Sequence, residues 1–325
     1  MEKESSFATR TLSIIGFGLL AFAITILAGG IWSALLVTNL RSSPAVPWSV
    51  PVMTLLLWLM WSYLGGKGWP RSTSDARRHY LRANRRSART YLWSFAAGVL
   101  SVVALAGYWI VLFRLVKMPP NALPDMSSYP RMTVALMILM GSLVAPFMEE
   151  AGFRGYFQVA LEREVRGWVA VTVSSLVFAF AHFAHGILWP KLLVYFLVGV
   201  GFGTTAYLTN STLPAILPHM IGDLTFFTLV WPHDVARRLV RDGGTDNWFW
   251  IHVMQAIVFT VLAVWAFQRL AAEVRPARGH PVNEDLFAGT PVRGDHFVMG
   301  IPLRLAAPVG REEDDSDQRE GHAKL

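Results

Sequence analysis

The sequence predicts an all-α fold: a polytopic transmembrane helical bundle of about eight helices, followed by a polar, disordered C-terminal tail. Of its 325 residues, 53% are hydrophobic and only 16% are charged, whereas about one quarter of the residues in a soluble domain are charged. Most apolar residues also fall in windows of about 20 residues, the length that crosses a hydrocarbon core of about 30 Å. Much of this apolar surface must therefore face lipid.

Eight apolar windows define the predicted helices. The first is much longer than the roughly 7–15-residue core of a signal peptide, so we expect it to be a retained helix. Trp and Tyr recur near the window ends, as expected of rings anchored at the headgroup level. The windows are Thr11–Leu40, Pro47–Leu64, Tyr91–Phe113, Met132–Met148, Trp168–Leu188, Leu192–Leu208, Leu213–Val230 and Trp248–Phe267.

Basic residues set the predicted orientation. Residues 67–89 carry the strongest positive cluster of any loop, so the positive-inside rule places this loop in the cytoplasm, and eight crossings place both termini there too. Three arginines in the loop 232–247 would then lie outside, against the rule. The excess of arginine over lysine suggests a GC-rich bacterial genome and hence a bacterial cell membrane.

Two segments follow from these windows: a transmembrane domain over residues 1–270 and a polar, disordered, cytoplasmic tail over residues 271–325. The net charge of +7 comes mainly from arginines beside apolar windows. This placement suits the lipid bilayer and its anionic headgroups, so we expect no nucleic-acid partner. The chain has no cysteine, which excludes disulfides, thiolate metal sites and cysteine nucleophiles.

Ionisable residues within apolar windows are functional candidates, because burying a charge in a bilayer costs several kcal/mol. The first group, Glu149, Glu150 and Arg154, ends the fourth window. Adjacent residues leave a helix about 100° apart, so the two carboxylates cannot do the same job. Glu150 and Arg154 are four apart and can form an ion pair, which leaves Glu149 free to act as a base. The alternative is an interfacial charged patch that ends a helix.

Two further groups lie on later helices. Phe178 and His182 share one helix face, as do His219 and Asp223, because each pair is four residues apart. Alone, each could be a packing residue or a polar clamp between helices. With the glutamates they form a set that can activate water and stabilise an oxyanion in a dry site.

These motifs resemble those of the CPBP family of intramembrane proteases, which includes the type II CAAX prenyl endopeptidases and bacteriocin-processing, Abi-like proteins. The family motifs EExxxR, FxxxH and HxxxN or HxxxD match these three groups, in the family's order, within residues 130–230. The resemblance implies hydrolysis of a peptide bond by water, with Glu149 as the general base and Glu150 and Arg154 in support.

The resemblance also implies that His182, His219 and Asp223 bind either the oxyanion or a metal ion. With Glu149 they would form the metal ligands, for zinc or another divalent cation; a metal-independent mechanism is equally compatible with the motifs. Many family members have Asn where this chain has Asp223. An ionised Asp cannot donate a hydrogen bond to an oxyanion, so Asp223 is either protonated, bound to a cation or used to orient a histidine.

We therefore expect an intramembrane endopeptidase that acts on a membrane-associated protein or peptide. A non-catalytic scaffold of the same family and a proton-coupled transporter are the alternatives, although we find neither internal repeats nor mid-helix breaks. The absence of HExxH, of a second intramembrane aspartate and of a Gly-x-Ser-Gly elbow disfavours three other intramembrane protease classes. One difficulty concerns depth: Glu149 ends its predicted helix, whereas His182 lies about 20 Å beyond the start of its own.

Overall fold

A computed structural model describes residues 7–120 and 126–275, together with the main chain of residues 297–298 and 301–302. Helices dominate this part of the chain and confirm the predicted all-α class. The α-helices are α1 Phe7–Ser42, α2 Ser49–Leu64, α3 Ser74–Leu81, α4 Ala88–Leu115, α5 Arg131–Glu149, α6 Gln158–Glu162, α7 Gly167–Ala181, α8 Trp189–Thr209, α9 Leu213–Thr225, α10 Val240–Gly243 and α11 Asn247–Val274. Shorter helical turns join several of these.

Within the described residues, six helices or helical runs are long and apolar enough to cross a membrane: Phe7–Ser42, Ala88–Leu115, Arg131–Glu162, Trp189–Thr209, Leu213–Ala236 and Asn247–Val274. Two shorter apolar helices, α2 and α7, have 16 and 15 residues. Each of the eight predicted windows therefore coincides with one apolar helix. The chain is a multi-pass integral membrane protein, in which α4 packs along α11 and α7 along α8.

The fourth predicted window ends too early. After α5 the chain stays helical through a π-helical segment, Glu150–Phe157, and then through α6, so that Arg131–Glu162 is one run. The hydropathy pattern breaks at Glu149 because buried polar residues follow, including Glu150, Arg154 and Gln158. A second π-helical segment, Phe226–Val230, follows α9 within the run Leu213–Ala236, which also stays helical.

The fifth window, in contrast, ends too late. Helix α7 stops at Ala181, and a 3₁₀ turn, Phe183–His185, follows. Gly186 then takes a φ of 102°, which a residue with a side chain rarely adopts, so the helix cannot continue. His182 consequently lies at the carboxyl end of its helix and borders a loop.

Several basic side chains lie at one end of the bundle. Arg10 of α1 lies 3.7 Å from Glu164, and Arg82 of the loop between α2 and α4 pairs with Glu162 at 2.8 Å. Arg269 of α11 lies over the ring of Trp93 near the start of α4. One end of the bundle therefore contains the start of α1, the loop of residues 67–89 (the basic loop), the turn after α6 and the end of α11.

The chain separates into two compact units, Met1–Val282 and Asn283–Leu325. In the first, α11 continues to Val274, past the expected domain boundary at residue 270. In the second, Phe297–Val298 pairs antiparallel with Ile301–Pro302. The remaining residues from 276 onward, on which the prediction of a disordered tail falls, lie outside the described part of the chain.

Candidate active site

A helical hairpin brings Glu149 and His182 to one depth. The run Arg131–Glu162 ends 13 residues after Glu149, and α7 then returns for 15 residues before His182. At 1.5 Å per residue, both side chains lie about 20 Å from the intervening turn. The apparent conflict in depth arose from ending the fourth helix too early, and the continuous helix removes it.

Glu149 lies between two imidazole rings. Its Oε2 atom is 3.5 Å from Nε2 of His219, and its Oε1 atom is 4.0 Å from Nε2 of His182. Both distances exceed a normal hydrogen bond, and separations of this size are typical of polar groups bridged through a third atom. The carboxylate is buried, with 8% of the residue exposed. It is thus close to two histidines without being bound to either.

His219 separates the two adjacent glutamates. Its Nδ1 atom lies 3.0 Å from Oε1 of Glu150, while its Nε2 atom faces Glu149. Because a carboxylate only accepts hydrogen bonds, Nδ1 is the donor to Glu150. Glu150 is fully buried and lies 3.6 Å from Arg154, the ion pair expected from their spacing. Glu150 therefore links Arg154, through an ion pair, to His219, through a hydrogen bond.

The Arg154 guanidinium is also buried and lies 4.0 Å from the centre of the Phe178 ring. Neither terminal nitrogen has a hydrogen-bond partner among the described residues. A buried guanidinium needs a counter-charge, and Glu150 with the aromatic face supplies it.

His182 is oriented in the same way as His219. Its Nδ1 atom lies 2.9 Å from the carbonyl oxygen of Phe178, one helical turn earlier. A carbonyl can only accept, so Nδ1 carries the proton and Nε2 points toward Glu149. Phe178 therefore contributes to the site in two ways: its carbonyl oxygen accepts a hydrogen bond from His182, and its ring contacts Arg154.

Asp223 completes the cluster. Its Oδ1 atom lies 3.9 Å from Nε2 of His219, one turn earlier on α9. Its Oδ2 atom is buried, with no hydrogen-bond partner in the described residues. The structure thus brings together all six predicted site residues: Glu149, Glu150, Arg154, His182, His219 and Asp223.

A cavity of about 370 Å³ lies beside Glu149, between α1 and α5. Its walls include Gly29 and Trp32 of α1, Val144 of α5, and Phe227. Glu149 is the only ionisable residue among those that line it. A cavity with apolar walls and one carboxylate suits an apolar ligand that presents a reactive polar group at one point.

Carboxylate and imidazole groups are suitable zinc ligands in type, and Glu149, His182, His219 and Asp223 would be the residues to hold such an ion. Among the described residues, however, no group of three or more His, Asp or Glu side chains is placed so that it could hold a metal ion.

Sequence reasoning missed the contribution of α1 and α8. Helix α1 lines the cavity through small and apolar residues, and α8 packs Tyr195 and Phe202 against the two histidines. Such residues look like ordinary helix-packing residues in a sequence. Two buried serines of α7 form hydrogen bonds within the bundle: Ser174 donates to the Phe153 carbonyl and Ser175 to the Val171 carbonyl.

Comparison with known proteins identifies the core of the chain. Residues 131–225 match the family model described as type II CAAX prenyl endopeptidase Rce1-like, which spans less than a third of the sequence and contains all six site residues. No curated protein matches the chain, and no solved structure does. The segment that holds the candidate site is thus similar to the Rce1-like type II CAAX prenyl endopeptidases.

Proposed function

We propose that this protein is an endopeptidase that hydrolyses a peptide bond of a membrane-associated protein or peptide with a water molecule activated by Glu149. The observation that carries the proposal is the position of the Glu149 carboxylate. It faces Nε2 of both His182 and His219 and lines an apolar cavity. A base, two imidazoles that can donate through Nε2 when protonated, and a place for an apolar substrate therefore meet at one point.

In the proposed reaction Glu149 takes a proton from water while the water oxygen attacks the carbonyl carbon of the peptide. The carbonyl oxygen becomes an oxyanion, and the Nε2–H group of a protonated histidine donates a hydrogen bond to it. Glu149 then gives its proton to the amide nitrogen as the C–N bond breaks. One water is consumed, and the products are a carboxylic acid and an amine, which together become a carboxylate and an ammonium group once the acid passes its proton to the amine.

The remaining charged groups support His219 in this step. A protonated His219 can donate through Nδ1 to Glu150 and through Nε2 to the oxyanion at the same time. Glu150 stabilises that cation, and Arg154 balances the charge of Glu150. Asp223, near the same Nε2 atom, would donate to the oxyanion as a neutral acid, in the position where many family members have Asn.

The apolar character of the cavity walls suggests the class of substrate. Apolar residues of α1 and α5 surround the space beside Glu149, so the residues next to the scissile bond should be apolar and membrane-embedded. The family description names prenyl endopeptidases. In a bacterial membrane, an unmodified peptide precursor or membrane protein would fit the same walls.

The test is cleavage of a library of membrane peptides, prenylated and unmodified, by purified protein in detergent. Wild type is compared with Glu149→Ala and His219→Ala, each with and without a chelator, and folding is checked by thermal unfolding. We expect cleavage by wild type alone, unaffected by the chelator. Loss of cleavage on chelation would contradict the metal-independent step. An inert but folded wild type would contradict the protease proposal and favour the scaffold or transporter.

The orientation is proposed as well. The bundle end that contains Arg10, the basic loop and Arg269 should face the cytoplasm, by the positive-inside rule. At the opposite end, Arg237 pairs with Asp234 and Arg114 with Asp246. Of the three arginines that seemed to contradict this orientation, two are paired with neighbouring acids, Arg237 with Asp234 and Arg241 with Asp242.

A further inference from the structure

Helix α8 carries none of the three motifs, yet it contacts both histidines. The Tyr195 ring stacks on His182, with centroids 4.2 Å apart and planes inclined by 20°. The Phe202 ring stacks on His219, with centroids 4.5 Å apart and planes inclined by 23°. Tyr195 and Phe202 are seven positions apart, which is about two helical turns, so both rings leave the same face of α8.

We propose that Tyr195 and Phe202 are positioning residues that fix the planes of the two imidazoles and thereby aim both Nε2 atoms at Glu149. This inference rests on the proposed function of the site. It assigns to α8 a role that none of the sequence motifs describes.

One hydrogen bond is not enough to fix the orientation of an imidazole ring. Each histidine is held through Nδ1, His182 by the Phe178 carbonyl and His219 by Glu150. A single hydrogen bond restrains one ring atom but leaves the ring free to swing about that contact. A parallel aromatic face at van der Waals distance restrains the plane. The two restraints together determine the direction of Nε2.

The aromatic supports are themselves held. Tyr195 and Phe202 are both buried, with 8% and 4% exposed. Trp109 of α4 packs edge-on against Tyr195 and donates its indole N–H to the Asp234 carboxylate. Beside Phe202, Phe178 approaches the His219 ring at a steep angle. The histidine planes are therefore set by rings that cannot easily turn.

Small displacements should have large consequences. The Nε2 atoms lie 3.5 Å and 4.0 Å from the Glu149 oxygens, and the oxyanion must form within the same small space. A misplacement of about 1 Å at a catalytic group can cost roughly a hundredfold in rate. Loss of either aromatic face should thus lower kcat while leaving substrate binding in the α1–α5 cavity intact.

The activity test uses Tyr195→Leu and Phe202→Leu in the full-length protein. Tyr195→Phe and Phe202→Tyr are the conservative variants, and Phe196→Leu is the matched control. Phe196 lies on α8 next to Tyr195 and packs against the same apolar cluster, but it makes no ring contact with either histidine among those found in the described residues. We expect kcat to fall at least about tenfold in the two Leu variants with KM nearly unchanged, and to be largely kept in the conservative variants and the control. Equal losses in Phe196→Leu, or losses in KM alone, would overturn the inference.

A second measurement does not depend on catalysis. In protein with ¹⁵N-labelled histidine side chains, the ring-nitrogen signals of His182 and His219 are assigned with His182→Gln and His219→Gln. Tyr195→Leu should shift only the His182 signals, and Phe202→Leu only those of His219. Unchanged signals in both would overturn the inference even if wild type proved inactive. An inactive wild type with the expected shifts would contradict the proposed function and leave the positioning role supported.

Discussion

His219 gives the two neighbouring glutamates different environments. Glu150 accepts a hydrogen bond from its Nδ1 atom and pairs with Arg154. Glu149 lies 3.5 Å from Nε2, beyond a normal hydrogen bond. Glu150 is thus engaged by two partners, whereas Glu149 lies between two imidazoles, as the proposed role of a general base requires.

The first prediction concerns Glu150. Glu150→Gln keeps an acceptor for Nδ1 of His219 but removes the charge that supports a histidinium, so kcat should fall by roughly a hundredfold while KM changes little. Steady-state cleavage kinetics measure both parameters. A variant with normal kcat and a raised KM would show that Glu150 serves substrate binding instead.

The second prediction concerns Asp223. If this residue donates a hydrogen bond as a neutral acid, Asp223→Asn should retain activity within about threefold, because the amide also donates. Asp223→Leu, of similar size but without a donor, should lose about a hundredfold in kcat. Equal damage by Asn and Leu would indicate that a charged carboxylate is required, as for a cation ligand.

At the scale of elements, the π-helical segment Glu150–Phe157 and the hairpin that follows place the site. π-Helical turns often occur at functional sites. Here the segment follows Glu149 directly and carries Glu150 and Arg154 inside the bundle. Helix α1 lies outside the matched family segment, yet it supplies one wall of the cavity beside Glu149.

The third prediction tests that wall. A Cβ atom added at Gly29 or at Gly30 meets no atom within 4 Å, so both positions tolerate a side chain. Only Gly29 lines the cavity. Gly29→Phe should fill it and lower kcat/KM at least about tenfold, because an occupied pocket excludes the substrate. Thermal unfolding in detergent should show little change.

The matched control is Gly30→Phe, which places the same side chain one residue further along α1. It should leave kcat/KM within about twofold of wild type. Equal losses in both variants would mean that α1 acts through its general packing rather than through the cavity.

Particular residues show how much could be predicted from the sequence. The spacing of Glu150 and Arg154 predicted their ion pair, and the apolar windows predicted eight helices, because both depend on local periodicity. The bond from His219 to Glu150 could not be predicted, since it joins residues 69 apart and depends on helix packing. The helix end at Glu149 was predicted wrongly because hydropathy cannot distinguish a helix end from a buried polar site.

At the scale of the whole molecule, many basic residues of the transmembrane bundle lie together at one of its ends, in the part of the chain that the structure describes. The basic loop, the start of α1 and the end of α11 share one end of the bundle. Some of these arginines also hold the structure: Arg77 is buried and donates to the carbonyls of Lys67, Gly68 and Pro70. Arginines at this end of the bundle therefore indicate the orientation of the chain in the membrane, and Arg77 also holds the basic loop in its folded form.

The fourth prediction is the orientation of this end. The chain has no native cysteine, so single cysteines can report exposure without background. A membrane-impermeant maleimide added to intact cells should label Thr245→Cys but not Ser72→Cys, and both should react after lysis. Labelling of Ser72→Cys alone in intact cells would reverse the assignment.

The most direct test of the central claim is single-turnover cleavage by Glu149→Gln, measured by mass spectrometry on a peptide that wild type cleaves. Gln keeps the size and burial of the side chain but cannot take a proton from water. We predict a rate at least about a hundredfold below wild type with unchanged thermal unfolding. Cleavage by Glu149→Gln at a rate close to wild type would contradict the assignment of Glu149 as the base.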